Sequence, residues 1–506
     1  MSQTREPVHD PFKHFKLFTC SNEKSCDRQT TSLKGVLLVL LIASISLFFY
    51  SAFVSQTRLV SCPECHKPTL NISRISQHCG VSGKNPGPTN ISHIVFGIGG
   101  SSQTWKDRKQ YSELWWQPNT TRGFVWLDQK PDVNTIWPEN SPPCRVSSDW
   151  TQFKYTSSQS AVRLARVILD AFRVGLPNVR WFVMGDDDTV FFTDNLVSVL
   201  ARYDHRQMHY IGGNSESVEQ NVMHSYDTAF GGGGFAISYT LAAELIKVLD
   251  GCLDRYHNFY GSDERVSACV RELGVSVTKE RGFHQVDIRG DPYGLLAAHP
   301  LAPLVSLHHL DDVLPLFPKQ TQHESLRTLV QAYHVDPART MQQCFCNYRN
   351  HTTLSASISW SVSISWGYTV QIYPFLLEAI DLGTPLQTFK TWRSWSDGPF
   401  TFNTRPVNPD PCQQPVIFHF DWVKENGNGK SLTSYKRTVV EPENKCDKAD
   451  YAGAVAVERI IVSALKMDPE EWNKAPRRQC CEVSSLKNGI LKMRIRSCKQ
   501  WETVIA

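Results

Sequence analysis

Apolar residues in this chain fall into several short uninterrupted runs, one long run and one sustained alternation. The nineteen residues from Val36 to Val54 carry no charge. At about 1.5 Å rise per residue, such a helix spans the roughly 30 Å hydrocarbon core of a bilayer. Further on, His93 to Ile98, Gly123 to Asp128, Trp181 to Asp186 and His209 to Gly212 are too short for helices and rich in β-branched and aromatic side chains, so they predict buried strands. Between them, Ser158 to Phe172 puts Ala161, Leu164, Ala165, Ile168 and Phe172 on one helical face, with Arg163, Arg166, Asp170 and Arg173 opposite. Helices are also predicted from Trp105 to Trp116, from Asp194 to about Tyr203, and from an N-cap at Ser262 to Gly274. Strand, Gly-rich turn at Gly99-Gly100-Ser101-Ser102, helix and strand is the opening of a nucleotide-binding α/β unit, and repeated α-to-β passages predict a largely parallel sheet. From Ile358 to Ile372 apolar residues alternate with Ser, Gly, Thr and Gln, which predicts one long strand or two joined at Gly367.

With 506 residues the chain exceeds what one hydrophobic core usually organises, and two folded units plus appendages are expected. Its formal charge of +4, without any block of Lys and Arg, excludes nucleic-acid binding as a class. Arg5, Lys13, Lys16, Lys24, Arg28 and Lys34 precede the long apolar run, whereas Arg58, Lys67 and Arg74 follow it more sparsely, so one membrane helix is expected with its N-terminus in the cytosol. Sequons at Asn71, Asn90, Asn119 and Asn350, and thirteen of the fifteen Cys, lie beyond that run, as an oxidising lumen requires. The expected layout is a cytoplasmic tail at 1–35, a signal-anchor at 36–54, a lumenal stem at 55–89, an α/β domain at 90–319, and a β-rich, disulfide-supported domain at 320–506. In that last domain Cys344, Cys346, Cys412, Cys446, Cys480, Cys481 and Cys498 are the candidate staples, and Phe418, Phe420 and Trp422 predict a buried sandwich core rather than a surface for stacking sugars. Cys62-Pro-Glu-Cys65 is read as a stem disulfide.

Three consecutive acids, Asp186-Asp187-Asp188, end the Trp181 run. Adjacent carboxylates repel, and a divalent cation with oxygen ligands relieves that crowding. The competing reading is a solvated acidic turn capping the helix from Asp194. Gly231 to Gly234 strips side chains from a segment flanked by Phe230 and Phe235, which lets a bulky ligand approach the backbone. Asp263 and Glu264 stand in the first turn of a helix, where the dipole stabilises acids whatever their function. His308 and His309 end an apolar strand and suit a borderline divalent metal. Asp128 ends the second strand on an acid.

Taken in order, these motifs resemble the Fringe and β-1,3-galactosyltransferase family over roughly residues 91–317, most of all its plant Fringe-like members. Trp181-Phe-Val-Met-Gly-Asp-Asp-Asp looks like the family's strand and aspartate triplet, Gly231 to Phe235 like its glycine-rich acceptor-side segment, and Asp263 to Gly274 like the stretch with its catalytic aspartate. Ser267 stands where the family usually has Gly, and Asp263-Glu264 replaces its Asp-Val or Asp-Cys pair, which leaves the base at either acid. The resemblance implies a GT-A-like nucleotide-sugar-binding fold on a type II Golgi membrane protein. It also implies an inverting glycosyltransferase that moves a hexosyl or N-acetylhexosaminyl group from a UDP-sugar to a glycan or glycoprotein hydroxyl, forming a β-1,3 linkage. Mn2+ would be held by Asp188 with Asp186 and a His, preferably His308, with His309 and His284 as alternatives. Asp263 would be the catalytic base. Asp128, Asp186 and Asp187, with the bare backbone of Gly232 and Gly233, would contact the nucleotide sugar. A homo-oligomer stays open. The rival reading is an inactive membrane-anchored carbohydrate-binding protein of the same fold.

Overall fold

A computed structural model describes residues 41, 44–45, 87–131, 137–154, 159–350, 358–392, 400–438, 446–474 and 478–503. No described helix is long and apolar enough to cross a membrane. The span expected at 36–54 lies outside the described residues except for 41, 44 and 45, and the tail at 1–35, the Cys62–Cys65 pair and the Asn71 sequon lie outside them altogether.

Strands β1 (Ile94–Gly99), β2 (Gly123–Leu127), β3 (Cys144–Val146) and β4 (Trp181–Asp186) lie parallel in the order β3-β2-β1-β4. β1, β2 and β4 read as apolar runs because both faces of the sheet are covered there, whereas β3 lies at the edge with Arg145 and Val146 exposed. Ile94, Phe96, Ile98, Trp181 and Val183 enter one core; Val95, Phe182 and Met184 enter the other. The second core is closed by the helix Gln159–Arg173 (one residue off the expected span), by Tyr239–Arg255 and by Ser262–Glu272, and the disulfide Cys252–Cys269 ties the last two together.

Beyond β4 the largely parallel expectation gives way to a mixed sheet. After β5 (Val190–Phe191), the strands β6 (Tyr210–Gly212), β7 (Phe235–Ser238) and β8 (Val277–Lys279) complete the seven-stranded order β3-β2-β1-β4-β7-β6-β8. β7 runs antiparallel to both β4 and β6, because the glycine run returns the chain to the sheet end where β4 has just finished. The helix at 262–272 is also corrected at its start: its N-cap is Gly261 rather than Ser262, and Glu264 does the capping by accepting from the Tyr260 and Gly261 amides at 3.0 and 3.1 Å.

Strand β9 (Phe283–His284) pairs parallel with β11 (Ser306–Leu307), which in turn pairs antiparallel with β5. Strand β10 (Ile288–Gly290) pairs with a strand from much later in the chain. That partner follows β12 (Gln343–Asn350), β13 (Ile358–Ser365) and β14 (Thr369–Tyr373), and is β15 (Phe389–Thr391). The long alternation is therefore two strands: Ser365 pairs with Thr369 across a turn in which Gly367 takes φ +77°.

With β16 (Val416–Glu425), β17 (Lys430–Arg437), β18 (Arg459–Leu465), β19 (Gln479–Lys487) and β20 (Ile490–Ser497), the C-terminal part builds one eight-stranded sheet, β12-β13-β14-β16-β17-β18-β20-β19. A two-sheet sandwich is not what forms. The sheet curls until its two edge strands meet, and Cys346 on β12 is bonded to Cys481 on β19 with their Cα atoms 5.4 Å apart. Trp360, Ile364, Val370, Phe418 and Ile460 fill the inside, all fully buried. Six of the seven candidate cysteines are paired, as Cys346–Cys481, Cys412–Cys446 and Cys480–Cys498, while Cys344 remains a buried thiol.

Candidate active site

β4 delivers Asp186 to the sheet's end, and a tight turn carries Asp187 and Asp188 into β5. Thr189 closes that turn: its hydroxyl accepts from the Asp186 amide at 2.8 Å and donates to the Gly232 carbonyl at 2.7 Å, while the Trp115 indole donates to the Thr189 carbonyl at 3.1 Å. The acids are not a solvated helix cap. Asp187 and Asp188 are 3% and 2% exposed, and the helix Thr193–Leu200 starts without any side-chain cap.

The triplet divides its work. Asp187 turns to Arg108 at 3.1 Å and to the Thr104 hydroxyl at 3.3 Å. Asp188 and Asp186 turn to His308, whose Nε2 lies 3.1 Å from Asp188 Oδ1 and 3.8 Å from Asp186 Oδ2. The β5–β11 pairing is what brings them together, since Val190 lies opposite Leu307. One oxygen from each acid and one ring nitrogen of His308 fall within 4.8 Å of one another. Asp188 Oδ1 is buried without a well-directed hydrogen bond, as an atom reserved for a cation would be. Two carboxylate oxygens with one imidazole nitrogen suit Mn2+ or a similar divalent ion.

Electrostatics point the same way. Burial pushes Asp186 up to about 7, despite His308 beside it and with the other acids adding to the rise. Burial opposes charge on His308, but Asp188 outweighs it and raises the imidazole to about 9; Asp188 in turn is driven well below the carboxylate range by His308 and Arg108 against its own burial. Protons and Arg108 thus supply the positive charge that a cation would bring.

Of the other candidate histidines, His309 is drawn to Asp287 at 3.0 Å, and His284 to Glu216 at 3.0 Å and His299 at 2.9 Å. Asp128 spends its carboxylate on the Gly-rich turn, accepting from the Ser102 amide at 2.8 Å. Burial would raise it, but the Ser102 bonds hold it below its ordinary value. Gly231 donates its amide to Asp263 Oδ2 at 3.2 Å, and Gly233 donates to Gln285 Oε1 at 2.6 Å. A cleft of about 280 Å³ holds Ser101, Arg108, Asp186, Asp188, His308 and Trp392. It adjoins a smaller cavity where Asp186 meets Gly231 and Asp263. A larger cavity of about 780 Å³ shares none of the cleft's residues and is lined by His284 instead.

A Fringe-like family model matches residues 114–289. A second model, described as protein of unknown function DUF604, matches residues 220–481, just over half of the chain. The chain belongs to that family. It is a family of β-1,3-glycosyltransferase-like proteins, and the Fringe-like match supports glycosyltransferase activity in general. No curated protein matches the chain. The two matches overlap at 220–289, which includes the glycine run and Asp263; the acid triplet lies in the Fringe-like match alone, and His308 in the DUF604 match alone.

Arg108 and Asp311 were not legible as site residues. Arg108 sits between Lys106 and Lys109 on a polar helix, with nothing local to mark it, yet it also reaches Asp311 at 3.4 Å. Gly232 gains a specific reason: a Cβ there would stand 2.0 Å from His308 Cε1. Gly232→Ala should therefore displace the ring, weaken any Mn2+-dependent ligand binding, and lower stability by about 1–3 kcal/mol as overpacking does. Thermal melts beside Mn2+ titrations of both proteins would check it; unchanged Mn2+ binding would contradict the packing account.

Proposed function

We propose that the chain is an inverting, divalent-metal-dependent glycosyltransferase of GT-A-like fold, anchored as a type II protein in the Golgi membrane. It moves a hexosyl or N-acetylhexosaminyl group from a UDP-sugar to a hydroxyl of a glycan or glycoprotein, forming a β-1,3 linkage. The observation that carries this reading is the meeting of Asp186, Asp188 and His308 in one cleft that opens toward Asp263 past the glycine run. Asp186, Asp188 and His308 would hold the cation, with Mn2+ the best fit to the donor set. When bound, it neutralises the diphosphate that leaves with the nucleotide.

The protein's own groups supply the rest. Asp263 is fixed by the Gly231 and Glu264 amides, at 3.2 and 2.9 Å, and takes the proton of the acceptor hydroxyl. That oxygen bonds to the anomeric carbon as the bond to the diphosphate oxygen breaks on the opposite face, so the configuration inverts and no covalent enzyme intermediate forms. Burial raises Asp263 above its ordinary value, bringing it closer to the lumenal pH at which a base works best. Glu264 is already committed to its helix cap and to His224 at 3.0 Å, which favours Asp263 as the base.

The test is UDP release by the full-length chain from a panel of UDP-sugars, with and without Mn2+. Metal-dependent release from at least one donor is expected. Silence with every donor would favour the carbohydrate-binding reading.

A further inference from the structure

Trp392 belongs to the C-terminal part, beyond the Fringe-like match, yet it lines the same cleft as Asp186, Asp188 and His308. The route is short. β15 pairs with β10, Thr391 opposite Ile288, and the next residue is Trp392. Its ring stacks on His309 with centroids 4.3 Å apart and planes 24° apart, and its indole N–H donates to Asp312 Oδ2 at 3.1 Å. The His309 ring lies 3.9 Å from that of His308. His309 therefore touches rings from two distant stretches of chain, stacked on Trp392 and tilted by 34° against His308, and the His308 ring faces Asp186 and Asp188.

Two features show that the middle ring is held rather than merely adjacent. His309 has φ +52°, a left-handed conformation that a non-glycine residue keeps only where its surroundings impose it. Its Nδ1 is tied to Asp287 at 3.0 Å on one side, and its face to the indole on the other. Because His308 is the next residue back, the torsion of His309 fixes how the two neighbouring rings lie against each other, and a His309 ring held in place limits where the His308 ring can turn.

We propose that Trp392 is a positioning residue for the cation site, acting through His309 to hold His308 against Asp186 and Asp188, so that the C-terminal part completes the donor cleft. This rests on the reading that the cleft takes a divalent cation. The bland alternative is that the indole only seals the junction between β15 and the cleft.

The experiment is Mn2+ binding to the full-length chain, read from the loss of the free-ion paramagnetic resonance signal, with thermal melts alongside. Removing a group that orients a metal ligand commonly costs about 10- to 100-fold in affinity, and that loss is expected for Trp392→Ala. Trp392→Phe keeps a ring on His309 while losing the bond to Asp312, and should stay within about threefold of wild type, well below that range. Trp392→Leu fills the space without a ring and should behave like Trp392→Ala even if the alanine variant folds poorly. Equal Mn2+ affinity in wild type and Trp392→Leu would overturn the proposal, as would an equal loss in Trp392→Phe and Trp392→Leu. A wild-type chain that binds no Mn2+ would overturn the cation reading as well, which separates the two failures.

Discussion

Asp188→Ala is expected to lower Mn2+ affinity by more than about 100-fold, the upper end of what removing a mere supporting neighbour costs, and to take UDP binding with it. Two effects add. The variant loses a proposed direct ligand, and His308 loses the carboxylate 3.1 Å from its Nε2 that holds the ring in place. The fold should survive, because Arg108 keeps Asp187 and Asp311 as partners. A pH signature accompanies the loss. In the wild type burial opposes charge on His308, but Asp188 prevails and holds the imidazole protonated up to about 9. A cation that takes Nε2 must displace that proton, so Mn2+ affinity should climb as pH rises from about 6 to about 8. With Asp188 gone, burial is the larger influence, the ring gives up its proton at lower pH, and the slope should flatten. Calorimetric titration of Mn2+ and UDP at several pH values reads both effects. Full UDP affinity in Asp188→Ala would remove Asp188 from the site, and a pH-independent wild type would refute the proton displacement.

Which parts of this site could be read from the sequence follows from how local their causes are. β1 and β4 are buried on both faces, so every position as far as Gly185 is apolar or Gly and the run announces itself; the acids then stand out as the first polar residues, beginning with Asp186 at the end of β4. The C-terminal hairpin was equally plain, since a period of two continues through the turn at Gly367. The direction of β7 was hidden because it depends on where the glycine run re-enters the sheet, not on the four residues of the strand. The meeting of β12 and β19 depends on contacts across 135 residues, and the local alternation is the same in a curled sheet and in a sandwich. The choice among His308, His309 and His284 needed the β5–β11 register. Arg108 and Trp392 reach the cleft only through tertiary packing, and neither lies in a pattern that distinguishes it from its neighbours.

Asp263→Asn should separate chemistry from binding. The amide keeps the size of the side chain and can still accept from the Gly231 amide, giving up only the local bond from the Glu264 amide, so the glycine run stays in place and Mn2+-dependent UDP affinity should change little. What disappears is the oxygen that takes the acceptor's proton. The loss should fall on the transfer rate, at about the 10²- to 10⁴-fold usual for a positioned base. The wild-type pH profile bears on the same atom. A base works when deprotonated, and burial raises Asp263, so activity should rise with pH along a limb lying above the ordinary carboxylate range, and that limb should vanish in Asp263→Asn. Glu264→Gln is the internal comparison. Glu264 accepts from two backbone amides at one oxygen and pairs with His224 at 3.0 Å; the Gln side chain can still cap the helix, so the variant should lose only the charge facing His224, cost at most about 1 kcal/mol of stability and leave most of the transfer rate. Single-turnover transfer with a working donor, beside UDP titrations and melts of both variants, reads all three quantities. If Asp263→Asn retained full transfer while Glu264→Gln lost it, the base would be Glu264 and the bond from Gly231 to Asp263 would be structural only.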